Sequence, residues 1–179
     1  MRELACVRFG SPRCRVASWV MGGLFAGLFG LAFAGELPRF KVTVDGSVNV
    51  PRIRVWNESR TARITRFEMT IGDTSRNFDS ATDFIPPSGG AILRREPDDG
   101  NGGTRSDRVL LEISDFDPGE SFTLYVDVDP DSENGSLDYR TVFFNNGSRD
   151  NTVFMATTED NETSALTVPE LPAGAPGAT

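Results

Sequence analysis

Acidic side chains are concentrated in the second half of the chain, where they could bind a cation. Asp127 and Asp129 alternate along a predicted strand. Both carboxylates then lie on one face, about 7 Å apart at a strand rise of about 3.3 Å per residue. The loop that follows adds Asp131, Glu133 and Asp138. Calcium takes roughly six to eight oxygen ligands, so we predict these five acids as calcium ligands.

The spacing of these acids is not that of an EF-hand. In a loop counted from Asp127, the glycine is Gly135, at the ninth position instead of the sixth. Neighbouring carboxylates repel one another, so a bound cation would relieve an electrostatic cost. The alternative is a solvated acidic loop on a chain with 26 acidic residues, 18 basic residues and a formal net charge of −8.

Several kinds of catalysis are excluded by composition. The chain contains no histidine, which excludes Ser-His-Asp and Cys-His nucleophiles and histidine-ligated zinc, copper and iron. Its two cysteines, Cys6 and Cys14, lie in a predicted leader. A glycoside hydrolase needs only two acids about 5 to 10 Å apart, but the sequence does not single out a pair. We therefore predict that the protein is not an enzyme, with a small glycoside hydrolase as a distant alternative.

Three aromatic residues are candidates for ligand contact: Trp56, Tyr125 and Tyr139. Trp56 shares its strand face with Arg52 and Arg54, and Tyr125 shares its face with Asp127. Flat aromatic faces beside polar groups suit stacking on sugar rings, because such side chains have an apolar body and a polar tip. The alternative for Trp56 is a position in the core, where large aromatic side chains are usually buried.

The N-terminus has the layout of a secretory signal peptide. Residues 16–34 form an uncharged apolar run behind a segment with four arginines, and the run ends in Ala-Phe-Ala. That ending is the small-x-small pattern cleaved by signal peptidase. We predict cleavage before Gly35, which makes the protein secreted, periplasmic or attached to the cell surface. The alternative is an uncleaved anchor, because about 20 apolar residues can span a bilayer.

Alternation with a period of two dominates the mature chain, as in half-buried strands. The clearest apolar sets are Phe40, Val42 and Val44; Phe67, Met69 and Ile71; Val109, Leu111 and Ile113; and Phe122, Leu124, Val126 and Val128. Glycine, proline, asparagine and aspartate separate them as turns. About eight short strands predict an all-β antiparallel β-sandwich, Ig-like or jelly-roll in layout, with a barrel as the alternative.

Residues 139–144 and 152–155 are predicted to pair as a hairpin across the Asn-Asn-Gly turn at 145–147. Phe143 and Phe144 would then point to opposite faces. Residues 169–179 are rich in proline, alanine and glycine, which predicts a flexible tail. The expected division is a signal peptide at 1–34, a sandwich domain at 35–168 and the tail at 169–179.

One stretch resembles a domain that recurs in exported bacterial proteins. Residues 114–122 read SDFDPGESF, and residues 126–129 read VDVD. Proteins with this domain are often associated with the cell surface, and some carry PEP-CTERM-type sorting tails. The resemblance implies an exported domain and brings no catalytic residues.

The functional expectation is a secreted bacterial module for binding, structure or adhesion, without catalysis and of unknown ligand. The sharper alternative is a calcium-assisted carbohydrate-binding module. An acidic chain repels nucleic acid, so we expect an extracellular glycan or a surface protein as partner. We expect no nucleic-acid partner and no membrane insertion after signal cleavage. Calcium is the one cofactor that the sequence suggests.

Overall fold

A computed structural model of the chain describes residues 35–96, 106–132, 137–144 and 151–167. The predicted leader, the predicted tail, Glu133 and the turn at 145–147 lie outside the described residues. Within these ranges no helix is both long enough and apolar enough to cross a membrane. The elements are β1 (Phe40–Gly46), β2 (Pro51–Asn57), β3 (Ile64–Thr70), β4 (Arg76–Ile85), β5 (Ala91–Glu96), β6 (Arg108–Phe116), β7 (Ser121–Pro130), α1 (Tyr139–Phe143), β8 (Val153–Thr158) and β9 (Thr163–Thr167).

The strands form two antiparallel sheets, which confirms the predicted all-β sandwich. The four-stranded sheet has the order β1-β2-β7-β4, and the five-stranded sheet has the order β5-β6-β3-β8-β9. β7 lies between β2 and β4 and is hydrogen-bonded to both.

The apolar sets predicted from alternation meet between the two sheets. Phe67 of β3 has no exposed surface, and its ring lies near those of Phe40, Phe122 and Phe154. The centroid of the Phe122 ring is 5.3 Å from that of Phe67 and 5.2 Å from that of Phe116. Edge-to-face ring pairs add to the stabilisation from buried area. This aromatic cluster joins the two sheets across the core.

The predicted hairpin partner at 139–144 is wrong, because residues 139–143 form the one-turn helix α1. The carboxylate of Asp138 accepts a hydrogen bond of 3.0 Å from the amide of Arg140, which caps the helix. Phe143 and Phe144 are both buried, so the expectation that one would lie at a surface is also wrong. Tyr139, Val142 and Phe143 follow helical i, i+3, i+4 spacing, and this places them on one side of the turn.

β4 is a strand that the alternation did not predict. Its pairing with β7 is interrupted between Phe78 and Ser80 and again between Thr82 and Ile85. A bulge adds a residue and disturbs the period of two, which hides such a strand from a pattern search. β4 completes the four-stranded sheet on the side of β7 away from β2.

Glu36 ties the start of the described chain to the loop between β2 and β3. Its carboxylate accepts hydrogen bonds from the amides of Arg60 (2.9 Å) and Thr61 (2.8 Å) and from the Thr61 hydroxyl (2.8 Å). These donors, the Arg60 amide first, lower the pKa of Glu36 to about 2 from an ordinary 4.5. Cleavage before Gly35 would leave this attachment intact.

Removing the Phe67 ring tests the aromatic cluster. We expect Phe67→Ala to lower the free energy of unfolding by about 3–5 kcal/mol, the usual range for a buried phenylalanine. The control is Leu93→Ala, because Leu93 is 68% exposed. Urea denaturation, monitored by circular dichroism, measures the free energy of unfolding of both variants. Equal stability of the two variants would contradict a core centred on Phe67.

The attachment of Glu36 predicts a dependence of stability on pH. A carboxyl group whose pKa is lowered in the folded state stabilises the fold above its unfolded pKa, and this stabilisation is lost as the pH falls through the folded pKa. Between about pH 5 and pH 2, wild type should therefore lose more stability than Glu36→Gln. The control is Glu58→Gln, whose side chain has no hydrogen bond to another described residue. The free energy of unfolding, measured by urea denaturation across this pH range, gives the comparison. An equal loss of stability in wild type and Glu36→Gln as the pH falls would refute the prediction.

Candidate functional site

The outer face of the four-stranded sheet carries the residues singled out from the sequence. On β2, Ile53 and Val55 are buried. The residues that alternate with them, Arg52, Arg54 and Trp56, face outward. Trp56 is one of the outward residues and is partly exposed, so it does not fill the core. The alternation of β2 therefore correctly predicted the face that Trp56 shares with Arg52 and Arg54.

Two cations lie against the indole ring of Trp56. The ammonium nitrogen of Lys41 is 5.0 Å from the ring centroid, and the guanidinium carbon of Arg54 is 5.6 Å from it. Lys41 is directly opposite Trp56 in the register of β1 and β2. Each such contact contributes about 0.5–1 kcal/mol at an exposed site. Among the described residues, neither Lys41 nor Arg54 forms an ion pair with a carboxylate, although the charge of Arg54 contributes to the lowered pKa of Asp45.

Three arginines on the five-stranded sheet are different, because they are ion-paired. Arg66 bonds Glu68 at 2.7 Å, Arg108 bonds Glu96 at 3.0 Å, and Arg94 lies 3.5 Å from a carboxylate oxygen of Glu112. A depression of about 460 Å³ on that sheet is lined partly by these paired residues. Their charge is largely neutralised by partners within the protein.

Arg52 of the four-stranded sheet is also paired. Its guanidinium donates to both oxygens of Asp45, at 2.7 and 2.9 Å, and lowers the pKa of that carboxyl. Arg52 is opposite Tyr125 in the register of β2 and β7. The partly exposed Tyr125 therefore lies next to a neutralised pair, whereas Trp56 lies next to two cations that form no ion pair with a described carboxylate.

Tyr139, the third predicted aromatic contact, does not join this face. It is the first residue of α1, and its ring centroid is 5.8 Å from that of Phe143 at the margin of the core. Burial raises the pKa of its hydroxyl. The structure thus brings Trp56 and Tyr125 to one sheet face and leaves Tyr139 in a separate element.

Three carboxylates form an acidic cluster on the same sheet: Asp79, Asp127 and Asp129. One oxygen from each lies within 4.8 Å of the others. Asp127 and Asp129 come from β7 as predicted, and Asp79 comes from the bulge of β4. The sequence prediction missed Asp79 because it missed β4.

The ionised form of Asp127 is disfavoured in this cluster. Burial is the main cause of its raised pKa, and the negative charge of Asp79 is the second. The backbone amide of Val128, and then the side-chain amide of Asn49, which donates to Asp127 Oδ1 at 2.8 Å, partly offset both effects. The Asn49 side-chain oxygen accepts from the amide of Leu137 at 2.8 Å, so the loop between β1 and β2 is fixed beside the cluster.

Asn77 is a further polar residue beside the cluster. It is only 2% exposed and directly opposite Asp129 in the register of β4 and β7. Its amide nitrogen donates to Asp131 Oδ1 at 2.8 Å, but its Oδ1 atom is buried without a hydrogen-bond partner among the described residues. A buried acceptor left in this state costs about 1–3 kcal/mol.

Two of the other predicted calcium ligands, Asp131 and Asp138, are not in the acidic cluster. Asp131 bonds Asn77, and Asp138 caps α1 and forms an ion pair with Arg140. That guanidinium lowers the pKa of Asp138. Glu133 lies outside the described residues. Of the five predicted ligands, the described structure brings Asp127 and Asp129 together.

No protein-family model matches the chain, and no curated protein matches it. Any assignment of function to the chain therefore rests on its own sequence and on the geometry of its residues.

The negative charge of Asp79 is one cause of the raised pKa of Asp127, so its removal should change that pKa. Asp79→Asn should lower the pKa of Asp127, because it removes a neighbouring negative charge. Carboxyl carbon NMR titration in the presence of EDTA measures the shift. Asp45→Asn is the control, since Asp45 is on the same sheet but is paired with Arg52. An unchanged Asp127 pKa in Asp79→Asn would show that the two groups do not interact.

Proposed function

We propose that the protein is an exported, non-catalytic binding module that holds acidic carbohydrate on the outer face of its four-stranded sheet. The observation that supports this most is the partly exposed Trp56 ring beside Lys41 and Arg54, two cations that form no ion pair with a carboxylate among the described residues. Tyr125 lies on the same face on the neighbouring strand β7, opposite Arg52 and four residues along the strands from Trp56.

The chemistry of this face favours a sugar that carries carboxylate or sulfate groups. The apolar side of a sugar ring stacks on a flat aromatic surface. Anionic groups on the same sugar would pair with Lys41 and Arg54, and charge-assisted hydrogen bonds are about twice as strong as neutral ones. The net charge of −8 repels anions at long range, but salt screens that repulsion beyond about 8 Å at physiological ionic strength. Contact at Trp56 is therefore compatible with an acidic protein.

Export supports the same proposal, because polysaccharides of this kind are extracellular. The apolar run at 16–34 and the Ala-Phe-Ala site are the sequence features that predict export. The resemblance of residues 114–129 to domains of exported bacterial proteins agrees with them. A structural or adhesive role would use the same face, with a glycan of the cell surface as the bound partner.

A second candidate function is a calcium-assisted carbohydrate-binding module. The observation in its favour is that the acidic cluster lies on the same sheet face as the aromatic residues. Asp127 is two residues from Tyr125 along β7, about 7 Å away at the usual strand rise. A cation in the cluster would be close enough to share a ligand with Tyr125.

Binding to oligosaccharides tests the proposal. We expect a polyuronate oligomer to bind wild type, and a neutral oligomer of equal length to bind at least about tenfold more weakly, a difference of about 1.4 kcal/mol. Trp56→Ala and the double variant Lys41→Gln/Arg54→Gln should lose most of the affinity. The control is Arg94→Gln, which removes one positive charge from the five-stranded sheet. Isothermal titration calorimetry measures all four proteins.

The outcomes separate the candidates. Loss of affinity in the Trp56 and Lys41/Arg54 variants, with the control unchanged, supports the acidic-glycan face. Loss of wild-type affinity on adding EDTA supports the calcium-assisted form. Equal loss in the Arg94 control, or no binding of either oligomer, would reject the proposal.

A further inference from the structure

We infer that one Ca²⁺ binds between β4 and β7, held by Asp79, Asp127, Asp129 and the side-chain oxygen of Asn77. This site is built from two strands of the sheet, whereas the acids along the sequence predicted a site formed by the end of β7 and the loop that follows it. The inference concerns the cation alone and holds whether or not the face binds a glycan. The calcium-assisted alternative, in contrast, depends on it.

The separation of the three carboxylates suits calcium. Their nearest oxygens lie within 4.8 Å of one another. Calcium binds oxygen at about 2.3–2.6 Å, so an ion among the three can reach each of them with little movement. Asp127 is held in place by the side chain of Asn49, which donates to its Oδ1, and by a hydrogen bond from the backbone amide of Val128.

Asn77 gives an independent indication of a ligand. Opposite residues of antiparallel strands project from the same face with their Cβ atoms about 5 Å apart, and Asn77 is opposite Asp129. The bond to Asp131 fixes the Asn77 amide through its nitrogen, which leaves the buried Oδ1 without a donor among the described residues. A cation would supply the missing partner, since side-chain carbonyl oxygens are ordinary calcium ligands.

The donor set favours calcium over other divalent metals. All four donors are oxygens, whereas zinc prefers nitrogen and sulfur, and the chain has no histidine. Magnesium requires near-ideal octahedral geometry, to which donors on a bulged strand pair are poorly suited. Two positive charges would also offset the repulsion between Asp79 and Asp127. Water molecules would complete a coordination number of about six to eight.

Asp131 has a different role in this site from the one predicted for it. It bonds the nitrogen of Asn77 instead of joining the three clustered carboxylates. We expect it to act as a positioning residue that turns the Asn77 oxygen toward the ion. Asp131→Asn should therefore weaken calcium binding less than Asp79→Asn does.

Calcium titration of the purified full chain tests the inference. After treatment with EDTA and dialysis, calorimetry with CaCl₂ should show one site. The Asp79→Asn variant should bind at least tenfold more weakly. Asp45→Asn is the matched control, because it removes one carboxylate from the same sheet outside the cluster. Melting curves in EDTA show whether each variant is folded before calcium is added.

A luminescence measurement gives a second, independent test. Terbium replaces calcium in oxygen sites, and a nearby tyrosine can transfer excitation energy to it. Tyr125 is two residues from Asp127 on β7, so Tyr125→Phe should reduce terbium emission while leaving calcium affinity unchanged. Tyr139→Phe is the control, because Tyr139 is in α1.

The results either support or overturn the inference. Calcium binding that is lost in Asp79→Asn and kept in Asp45→Asn supports it. No binding by wild type at millimolar calcium overturns it. So does wild-type binding that Asp79→Asn does not change while Glu133→Gln abolishes it, because the ion would then be in the loop. Failure of the glycan experiment with intact calcium binding would reject only the proposed function.

Discussion

The register of β7 between β2 and β4 is the constraint on which the rest of the structure depends. One side of β7 presents Phe122, Leu124, Val126 and Val128 to the core, and the other side presents Tyr125, Asp127 and Asp129. A slip of one residue would exchange the two sets, exposing the apolar residues and burying the carboxylates. The core therefore fixes the position of every polar group on the outer face. The aromatic contacts of Phe122 with Phe67 and Phe116 hold that register from the other sheet.

The two ends of the outer face differ in charge because of their neighbours. Near β1, Lys41 and Arg54 lie against Trp56, and Asp45 is occupied by Arg52. Near β4, the bulge brings Asp79 to Asp127. A cationic aromatic end and an acidic end thus lie along one sheet. This arrangement suits a ligand that carries negative charge and also contacts a bound cation.

Much of the fold was predictable because burial of one strand face produces a period of two. β2, β3, β6 and β7 follow that period and were predicted from it. β4 was missed because its bulge breaks the period, and α1 was missed because a single turn is too short to show a helical repeat. The candidate site was predictable only in part for the same reason. Asp127 and Asp129 are neighbours on one strand, but Asp79 reaches them only through the pairing of β4. Likewise, the partners that neutralise Asp45 and Asp138 depend on contacts that acidic composition does not reveal.

The position of a bound ion is the most direct test of the pairing between β4 and β7. Crystals soaked in a lanthanide salt give an anomalous peak wherever a calcium site is occupied. The structure predicts one strong peak within about 2.6 Å of oxygens from Asp79, Asp127 and Asp129, with Asn77 beside it. A peak bound only by the loop that follows β7, or no peak in well-diffracting crystals, would contradict the account.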